Sequence, residues 1–190
     1  MRMQRAAWLL SLAAMLVSVA ALAEDARLAA PMRTILSFKV LTFDRNIAKG
    51  RDALRIGVVA QKGKEESEQA GAAVIAAVKK VQHMRVSGLK IEVASLVAAD
   101  LASLEKLVEK HRSNVLLFTQ GTDALMDRGC KLAARKVLMG TSEPQQIKRC
   151  AAFAIIERDG KPKIFINLKN ATAQGALFDD RLLKNAAVTR

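Results

Sequence analysis

The side chains of this sequence that could do chemistry are few, and their spacing does not assemble a catalytic set. His83 and His111 have no partner at metal-ligand spacing, and both fall near the ends of predicted helices, where an imidazolium interacts favourably with the helix dipole. Ser142 follows a predicted strand, but the G-x-S-x-G motif of a nucleophilic serine is absent. Adjacent carboxylates at Asp179 and Asp180 are typical of a helix start. The sequence therefore predicts a protein that is not an enzyme and has no metal or cofactor.

Three polar pairs lie at the carboxyl ends of predicted strands and are the candidates for a ligand site. They are Gln61 and Lys62, Thr119 and Gln120, and Thr141 and Ser142. In open parallel sheets, ligands bind outside the carboxyl ends of the strands. Neither G-x-G-x-x-G nor G-x-x-x-x-G-K-[ST] occurs, so these loops indicate a site for a small molecule and not a nucleotide cradle.

The elements that position these loops alternate between strands and helices. Short apolar runs at residues 53–60, 89–96, 114–119 and 136–142 predict strands, and the segments 65–84, 100–111 and 122–134 between them predict helices. Crossovers of this length join parallel strands whose two faces are both covered. The pattern predicts an α/β fold, with a mostly parallel sheet and helices on both faces in a Rossmann-like three-layer arrangement.

Both ends of this array depart from the parallel pattern. Asp159-Gly160 separates two apolar runs and is a strong hairpin signal, so we expect the sheet to finish in an antiparallel pair followed by a C-terminal helix. Near the N-terminus, Pro31 opens a predicted helix. Its apolar residues predict a core-facing stripe of Met32, Ile35, Leu36, Val40, Phe43 and Ile47.

Residues 1–23 have the organisation of a Sec-type signal peptide. Arg2 and Arg5 precede an uncharged run over residues 6–23, which closes on the cleavage motif Ala21-Leu22-Ala23. An uncleaved membrane anchor is the alternative, because 18 uncharged, mostly apolar residues approach the length that spans a bilayer. The signal peptide predicts export to the periplasm and leaves residues 24–190 as a single domain.

Cys130 and Cys150 are the only cysteines, and both fall in the predicted mature domain. An even pair in an oxidising compartment predicts a disulfide, with two unpaired buried thiols as the alternative. Closing a loop of about 20 residues would contribute roughly 3 kcal/mol to stability by the chain-entropy estimate.

The chain is strongly basic, with a formal net charge of +13. Its lysines and arginines are scattered, without long like-charge runs or interleaved aromatic residues, and an exported protein rarely meets nucleic acid. The sequence therefore predicts no nucleic-acid partner. An anionic membrane surface, peptidoglycan or an acidic protein remain candidates, beside a basic surface with no dedicated partner.

The C-terminal stretch carries a resemblance. Its strand ends in Phe-Ile-Asn-Leu, and Ala-rich residues, a glycine turn and a segment with paired leucines follow. This order resembles the C-terminal signature of the YfiR family, at Phe165, Ile166, Asn167, Leu168, Ala171, Gly175, Leu177, Leu182, Leu183 and Ala186. The sequence departs from the family at Cys150-Ala151-Ala152, where members commonly have a glycine pair, and at Asp179-Asp180, where they have serines. The sequence thus resembles a divergent member of this family.

The resemblance implies regulation by binding. A YfiR-type domain at residues 24–190 would modulate a membrane signalling protein, a diguanylate cyclase or a histidine kinase, and an outer-membrane lipoprotein would be a further partner. Asn167 is expected to hydrogen-bond the chain reversal, and Leu177, Leu182 and Leu183 to dock the final helix on the sheet. A homodimer is also compatible with this class.

Two hypotheses follow from the sequence. The first is a periplasmic, non-enzymatic regulator or adaptor of YfiR type. The alternative is a small-molecule-binding module that resembles one lobe of a periplasmic binding protein and uses the three polar loops. A lone lobe lacks a second domain to close over a ligand, which favours the adaptor.

Overall fold

A computed structural model describes residues 29–189, so the predicted signal peptide lies outside the described residues. The chain runs through the helix α1 (Ala30–Thr42), β1 (Ala53–Gln61), α2 (Glu65–Lys80), β2 (Arg85–Val86), β3 (Leu89–Ala98), α3 (Leu101–His111), β4 (Val115–Phe118), α4 (Asp123–Gly129), a 3₁₀ helix (Cys130–Arg135) and β5 (Leu138–Thr141). It continues through α5 (Pro144–Ile147), β6 (Phe153–Arg158), β7 (Lys161–Asn167), α6 (Leu168–Ala173), α7 (Asp180–Leu183) and β8 (Ala187–Thr189).

The strands form one sheet in the order β2-β3-β1-β4-β5-β6-β7-β8. Five neighbouring pairs are parallel, from β3-β1 through β5-β6 and again at β7-β8. The hairpin β6-β7 is antiparallel, and its turn residues Asp159 and Gly160 both have positive φ, as a type I′ turn requires. The predicted α/β fold and its terminal hairpin are confirmed.

Two apolar layers cover the sheet, one on each face. The first joins α1, α2 and the C-terminal segment to side chains such as Ile56, Phe153 and Ile166. The second joins α3, α4 and the 3₁₀ helix to side chains such as Leu116 and Met139. The helices therefore lie on both faces, as the two-sided apolar character of the central strands predicted.

Helix ends are set by local chemistry. Asp100 accepts a hydrogen bond from the Ser103 N–H while the Ser103 hydroxyl accepts from the Asp100 N–H, which is a capping box at the start of α3. Helix α2 begins with three glutamates and ends with Lys79 and Lys80, so its charges complement the helix dipole. It ends at Lys80, four residues earlier than predicted.

The stripe predicted for α1 is wrong in phase. Met32 and Ile35 are 48% and 45% exposed, whereas the buried face carries Thr34, Ser37, Phe38 and Leu41. Of the predicted stripe, only Val40 and Ile47 are buried. Apolar spacing alone could not find this face, because its first half packs against the polar ends of β4 and β5, beside Thr119 and Thr141.

Two further expectations are corrected, and one short strand was not predicted. The helix predicted over residues 122–134 is a two-turn α-helix, α4, followed by a 3₁₀ helix. The predicted C-terminal helix is two short helices, α6 and α7, and the last described strand is β8 at the sheet edge. A two-residue strand, β2, pairs with β3 through a Ser87-Gly88 turn at the other edge, and that dipeptide was the only sequence feature that could have indicated it.

None of the helices in residues 29–189 has the length and apolar character that a bilayer crossing requires.

Candidate functional site

The carboxyl ends of β1, β3, β4 and β5 meet at one edge of the sheet, which we call the carboxyl edge. Strand β3 pairs on one side of β1, and β4, the next central strand along the chain, pairs on the other side of β1. The strand order therefore reverses between β1 and β4. Such a reversal opens a crevice where α/β proteins commonly bind ligands. The predicted polar residues all lie at the ends of strands that meet at this edge or directly after them.

The crevice between β1 and β4 is occupied by the protein itself. The hydroxyl of Ser67, in the first turn of α2, accepts a hydrogen bond from the Gln61 N–H at 2.9 Å and lies 3.4 Å from the Thr119 hydroxyl. The Lys64 ammonium donates to the Gly121 carbonyl at 3.2 Å. Thr119 itself donates to the Val59 carbonyl at 2.9 Å, so its hydroxyl is used within the fold.

A second polar network joins the loops after β4 and β5. The Thr141 hydroxyl donates to the Gln146 side-chain carbonyl and accepts from the Glu143 N–H at 3.0 Å. Gln146 is fully buried, and its amide donates to Asp123 at 3.2 Å. These bonds satisfy buried polar groups and fix the two loops relative to one another.

Beside this network lies a small cavity of about 20 Å³ between α1 and the ends of β4 and β5. Its polar lining comes from Arg33, Thr34, Ser37, Thr119, Thr141 and Ser142. Val74, Leu117 and Phe118 supply the apolar wall, and no acidic side chain contributes. We call this space the α1 cavity. One water molecule needs about 10–15 Å³ in comparable terms, so the cavity is water-sized in this conformation.

Two hydroxyls in the α1 cavity have no hydrogen-bond partner within the described part of the chain. They are the Oγ1 of Thr34 on α1 and the Oγ of Ser142 after β5, and both atoms are buried. Ser37, by contrast, donates to the Arg33 carbonyl at 2.9 Å. Buried hydroxyls without partners are costly, so a pair that lines one cavity indicates a place for a bound polar group.

The structure separates the six predicted loop residues into two groups. Thr119, Thr141 and Ser142 line the α1 cavity. Gln61 lies outside it, where its amide donates to the carbonyls of Ala98 and Ala99, while Lys62 is exposed and Gln120 is half-buried at the surface. Sequence reasoning missed Thr34 and Ser37. The available signal was that they precede Phe38 and Leu41 at helical spacing, which places all four on one face.

The carboxylates with perturbed acidity lie outside the lining of this cavity. A side-chain hydrogen bond from Arg55 lowers the pKa of Asp52 to about 2, and one from Arg181 holds the pKa of Asp179 far below its usual range. The Ser103 N–H likewise lowers the pKa of Asp100. Each of these groups is held as an ion-pair or capping anion, which does not suit it for proton transfer near neutral pH. Within residues 29–189, no group of three potential metal ligands comes together.

The C-terminal stretch, which includes the signature residue Asn167, braces the segment after α5. Asn167 accepts from the Asn170 N–H at 3.0 Å and donates to the Ile147 carbonyl at 3.0 Å, so it caps α6 and ties the chain reversal as expected. Gln174 is 2% exposed and links β5 to the segment before β6. Its side-chain oxygen accepts from the Met139 N–H at 2.7 Å, and its amide donates to the Cys150 carbonyl at 2.6 Å. The stretch therefore holds both β5 and the residues that lead into β6.

The terminal leucines only partly dock as predicted. Leu182 is 3% exposed and packs in the first apolar layer, and Leu183 is half-buried against it. Leu177 is 51% exposed, which corrects the expectation that it seals the core. It lies in the turn before α7, where its backbone is bonded to Asp44 and Arg45 and its side chain points outward.

Cys130 and Cys150 form a disulfide, with their Cα atoms 5.3 Å apart. The bond joins the start of the 3₁₀ helix to the segment that Asn170 and Gln174 brace. The predicted pairing is confirmed.

Comparisons with known proteins give a fold and no family. No family model matches the chain, and no curated protein matches it. A conserved domain protein of Vibrio cholerae O1 biovar El Tor has a similar structure, with a TM-score of 0.62 and 15% sequence identity over 86% of this chain and 61% of that one. The similarity establishes a shared α/β fold.

Two further solved structures also share the fold. An ABC domain from Streptococcus pneumoniae in complex with L-Trp gives a TM-score of 0.58 at 14% identity, over 85% of this chain and 62% of that one. A substrate-binding protein with adhesive properties from Clostridium difficile, in its ligand-free open form, gives 0.52 at 13% identity, over 73% and 55%. The chain thus spans less than two thirds of each of these three proteins.

Proposed function

We propose that this chain is an extracytoplasmic module that binds a small polar molecule at the carboxyl edge, beneath the N-terminal half of α1. The observation that carries the proposal is the pair of buried hydroxyls without partners, Thr34 and Ser142, on two walls of the α1 cavity. The export signal predicted over residues 1–23 and the disulfide support the location.

The lining of the cavity suits a hydrogen-bonding group that is neutral or negatively charged. Of the five hydroxyl side chains in the lining, those of Thr34 and Ser142 make no hydrogen bond within residues 29–189, Arg33 is the one cationic residue, and no acidic residue is present to repel an anion. Hydroxyl and guanidinium donors are the groups that proteins use to hold carboxylates and phosphates. A ligand with a carboxylate group, such as an amino acid, fits this chemistry, and L-Trp is what one protein of similar fold holds.

Such a ligand can enter only if α1 moves, because about 20 Å³ does not admit it. The C-terminal half of α1 is anchored by the buried side chains of Phe38, Val40 and Leu41. The N-terminal half buries Thr34 and Ser37, leaves Met32 and Ile35 exposed, and packs only the partly buried Ala30 and Leu36 against the first apolar layer. Little apolar burial therefore holds the first two turns, which are the part of α1 that can open at low cost.

A thermal-shift and calorimetric screen tests the proposal. The probes are L-tryptophan and the other amino acids, small carboxylates, inorganic phosphate and simple sugars. A ligand at 100 times its dissociation constant should stabilise the fold by about 2.7 kcal/mol. If none of these probes stabilises the protein, the binding proposal is wrong.

Matched variants assign the site. Thr34→Val and Ser142→Ala remove the two cavity hydroxyls and should each weaken the identified ligand by about tenfold or more. Ser113→Ala is the control, since Ser113 is buried with a hydroxyl that has no partner in residues 29–189 but lies outside the α1 cavity. Equal affinities in all three variants would place the ligand elsewhere.

Regulation of a membrane signalling protein, which the resemblance to the YfiR family implies, is the second candidate. The observation that favours it is the closed state of the carboxyl edge, where Ser67 and Lys64 fill the crevice between β1 and β4. A closed edge suits a protein that acts through its exterior. Cross-linking in the cell envelope should then recover a diguanylate cyclase or histidine kinase with the full chain. Cross-linked products that contain neither kind of protein would count against this candidate.

A further inference from the structure

The β6-β7 hairpin extends beyond the carboxyl edge. Thr141, the last residue of β5, is in register with Ala154, and β6 continues for four more residues to Arg158. The turn at Asp159-Gly160 and the first residues of β7 therefore project past the central strands. Leu36 of α1 lines a groove beside this projection, so the hairpin and α1 contribute to one surface.

The projecting hairpin concentrates positive charge. Arg158 lies directly opposite Lys161 across the strand pair, and Lys163 follows on the same face as Lys161. Like charges in direct cross-strand pairs are destabilising, so a counter-charge is expected to face them. The ion pairs within residues 29–189 involve other arginines and leave these three cations out.

A groove of about 670 Å³ joins this charge to apolar surface. Arg158, Lys163 and Lys184 supply its cations, and Asp159 is its one acidic lining residue. Leu36, Ile164 and Phe165, each half-buried, form its apolar part. Outside the groove, Met32 lies one turn before Leu36 on the same side of α1, and both Met32 and Ile35 are about half exposed. We call these groove residues, together with Lys161, Met32 and Ile35, the hairpin–α1 surface.

We propose that the hairpin–α1 surface docks on an anionic phospholipid bilayer. Lysines and arginines beside exposed apolar side chains are the composition that binds at such a surface. An acidic peptide in the groove would pair the cations but would leave Met32 and Ile35 exposed on the helix, whereas an interface takes up both. The uncharged run of residues 6–23 ends seven residues before Ala30, and an extended segment of that length spans at most about 25 Å. Insertion of that run during export therefore brings α1 close to a membrane.

Amine acetylation of the full chain, read by mass spectrometry, tests the contact directly. The probes are vesicles of phosphatidylglycerol mixed with phosphatidylcholine, and vesicles of phosphatidylcholine alone. Lys161, Lys163 and Lys184 should be protected severalfold by the anionic vesicles only. Lys79 and Lys80, exposed at the end of α2, are internal controls and should react equally with both.

Charge-reversal variants give the energetic test. Each cation near an anionic surface contributes roughly a fivefold factor in partitioning, so Lys163→Glu with Lys184→Glu should lower partitioning into anionic vesicles by about 25-fold or more. The control, Lys79→Glu with Lys80→Glu, changes net charge equally and should retain partitioning within about threefold of the wild type. All forms keep residues 6–23, so binding through that run is common to them.

Three outcomes would overturn the proposal. The two double variants could partition equally, or the two kinds of vesicle could protect the hairpin lysines equally. Alternatively, polyglutamate could protect them while anionic vesicles do not, which would assign the surface to an acidic protein.

Discussion

The aromatic ring of Phe153 on β6 occupies the space in which a side chain at Gly140 on β5 would lie. A Cβ at residue 140 would overlap three ring carbons, Cζ, Cε1 and Cε2. Phe153 is fully buried and in register with Gly140, so the ring has little room to retreat. Gly140 directly precedes Thr141 and Ser142, and the contact therefore sets the position of the candidate site as well as the packing of the sheet.

Gly140→Ala should lower the free energy of unfolding by about 1–3 kcal/mol, because overpacking forces the ring or the strand to shift. Urea denaturation measures the change. Gly129→Ala is the control, since Gly129 has a helical φ of −69° and its nearest neighbour to a new Cβ is 3.7 Å away. It should be neutral or slightly stabilising. A loss at residue 140 no larger than that at residue 129 would contradict the packing argument.

Cys150→Ser should lower the melting temperature without preventing folding. Removing a disulfide that closes a 20-residue separation costs about 3 kcal/mol, or roughly 6–12 °C for a domain of this size. The fold should survive because Asn170 donates to the carbonyls on both sides of Cys150 and Gln174 donates to the carbonyl of Cys150 itself. Calorimetry of the variant, with Cys130→Ser as its match, measures the shift. Two alkylatable thiols in the non-reduced wild type would refute the bond.

Gln174→Leu should be more disruptive than its similar volume suggests. The change leaves the Met139 N–H and the Cys150 carbonyl without partners in a site that is 2% exposed. Each buried group that loses its partner costs about 1–3 kcal/mol. Gln145→Leu is the exposed control on α5 and should change the free energy of unfolding by less than about 0.5 kcal/mol. Equal effects in denaturation experiments would show that Gln174 has no bracing role.

Sequence reasoning found what local patterns encode. The central strands and the Asp159-Gly160 hairpin have strong signals, because apolar runs between helical segments and a dipeptide suited to positive φ each specify one structure. The edge strands β2 and β8 are two and three residues long, and their formation depends on pairing with β3 and β7. Such short strands carry no period for the sequence to reveal.

The candidate site was predicted in part for a related reason. Thr119, Thr141 and Ser142 could be located because polar residues after parallel strands converge at one edge. Thr34 was missed because the stripe of α1 was read from Met32 and Ile35, which are exposed. Which face of α1 turns inward depends on the polar edge that it covers, and that edge exists only in the folded sheet.

Asp179→Asn should reduce the increase in the free energy of unfolding that the wild type shows between acid and neutral pH. The folded-state pKa of Asp179 is lowered chiefly by the side chain of Arg181, with help from the Arg181 N–H and from Arg45. Its contribution is thus present above the unfolded pKa of about 4 and is lost as pH falls toward the lower folded value. Urea midpoints between about pH 2 and pH 6 should therefore differ between wild type and variant at the upper end and converge at the lower end.

The matched control for that series is Asp159→Asn. Asp159 is exposed at the hairpin turn, and asparagine tolerates its positive φ of 55°. At pH 6 the urea midpoint of this variant should match that of the wild type, because the substitution removes a carboxylate and keeps the turn. Divergence of the Asp179 variant toward low pH instead of toward neutral pH would show that its carboxylate is not the stabilising form.

Hydrogen exchange should divide α1 into two halves. The backbone amides up to Ser37 lie in turns whose only fully buried side chains are Thr34 and Ser37. In the rest of the helix, Phe38, Val40 and Leu41 are anchored in the first apolar layer. Local opening costs least where little apolar area is buried, so the first half should exchange at least tenfold faster than the second. Ile35→Ala, an exposed site, should leave this difference unchanged, while Phe38→Ala should raise exchange throughout the helix. Uniform protection along α1 in the wild type would mean that the helix opens as one unit, and the carboxyl edge would then have no cover that can move independently.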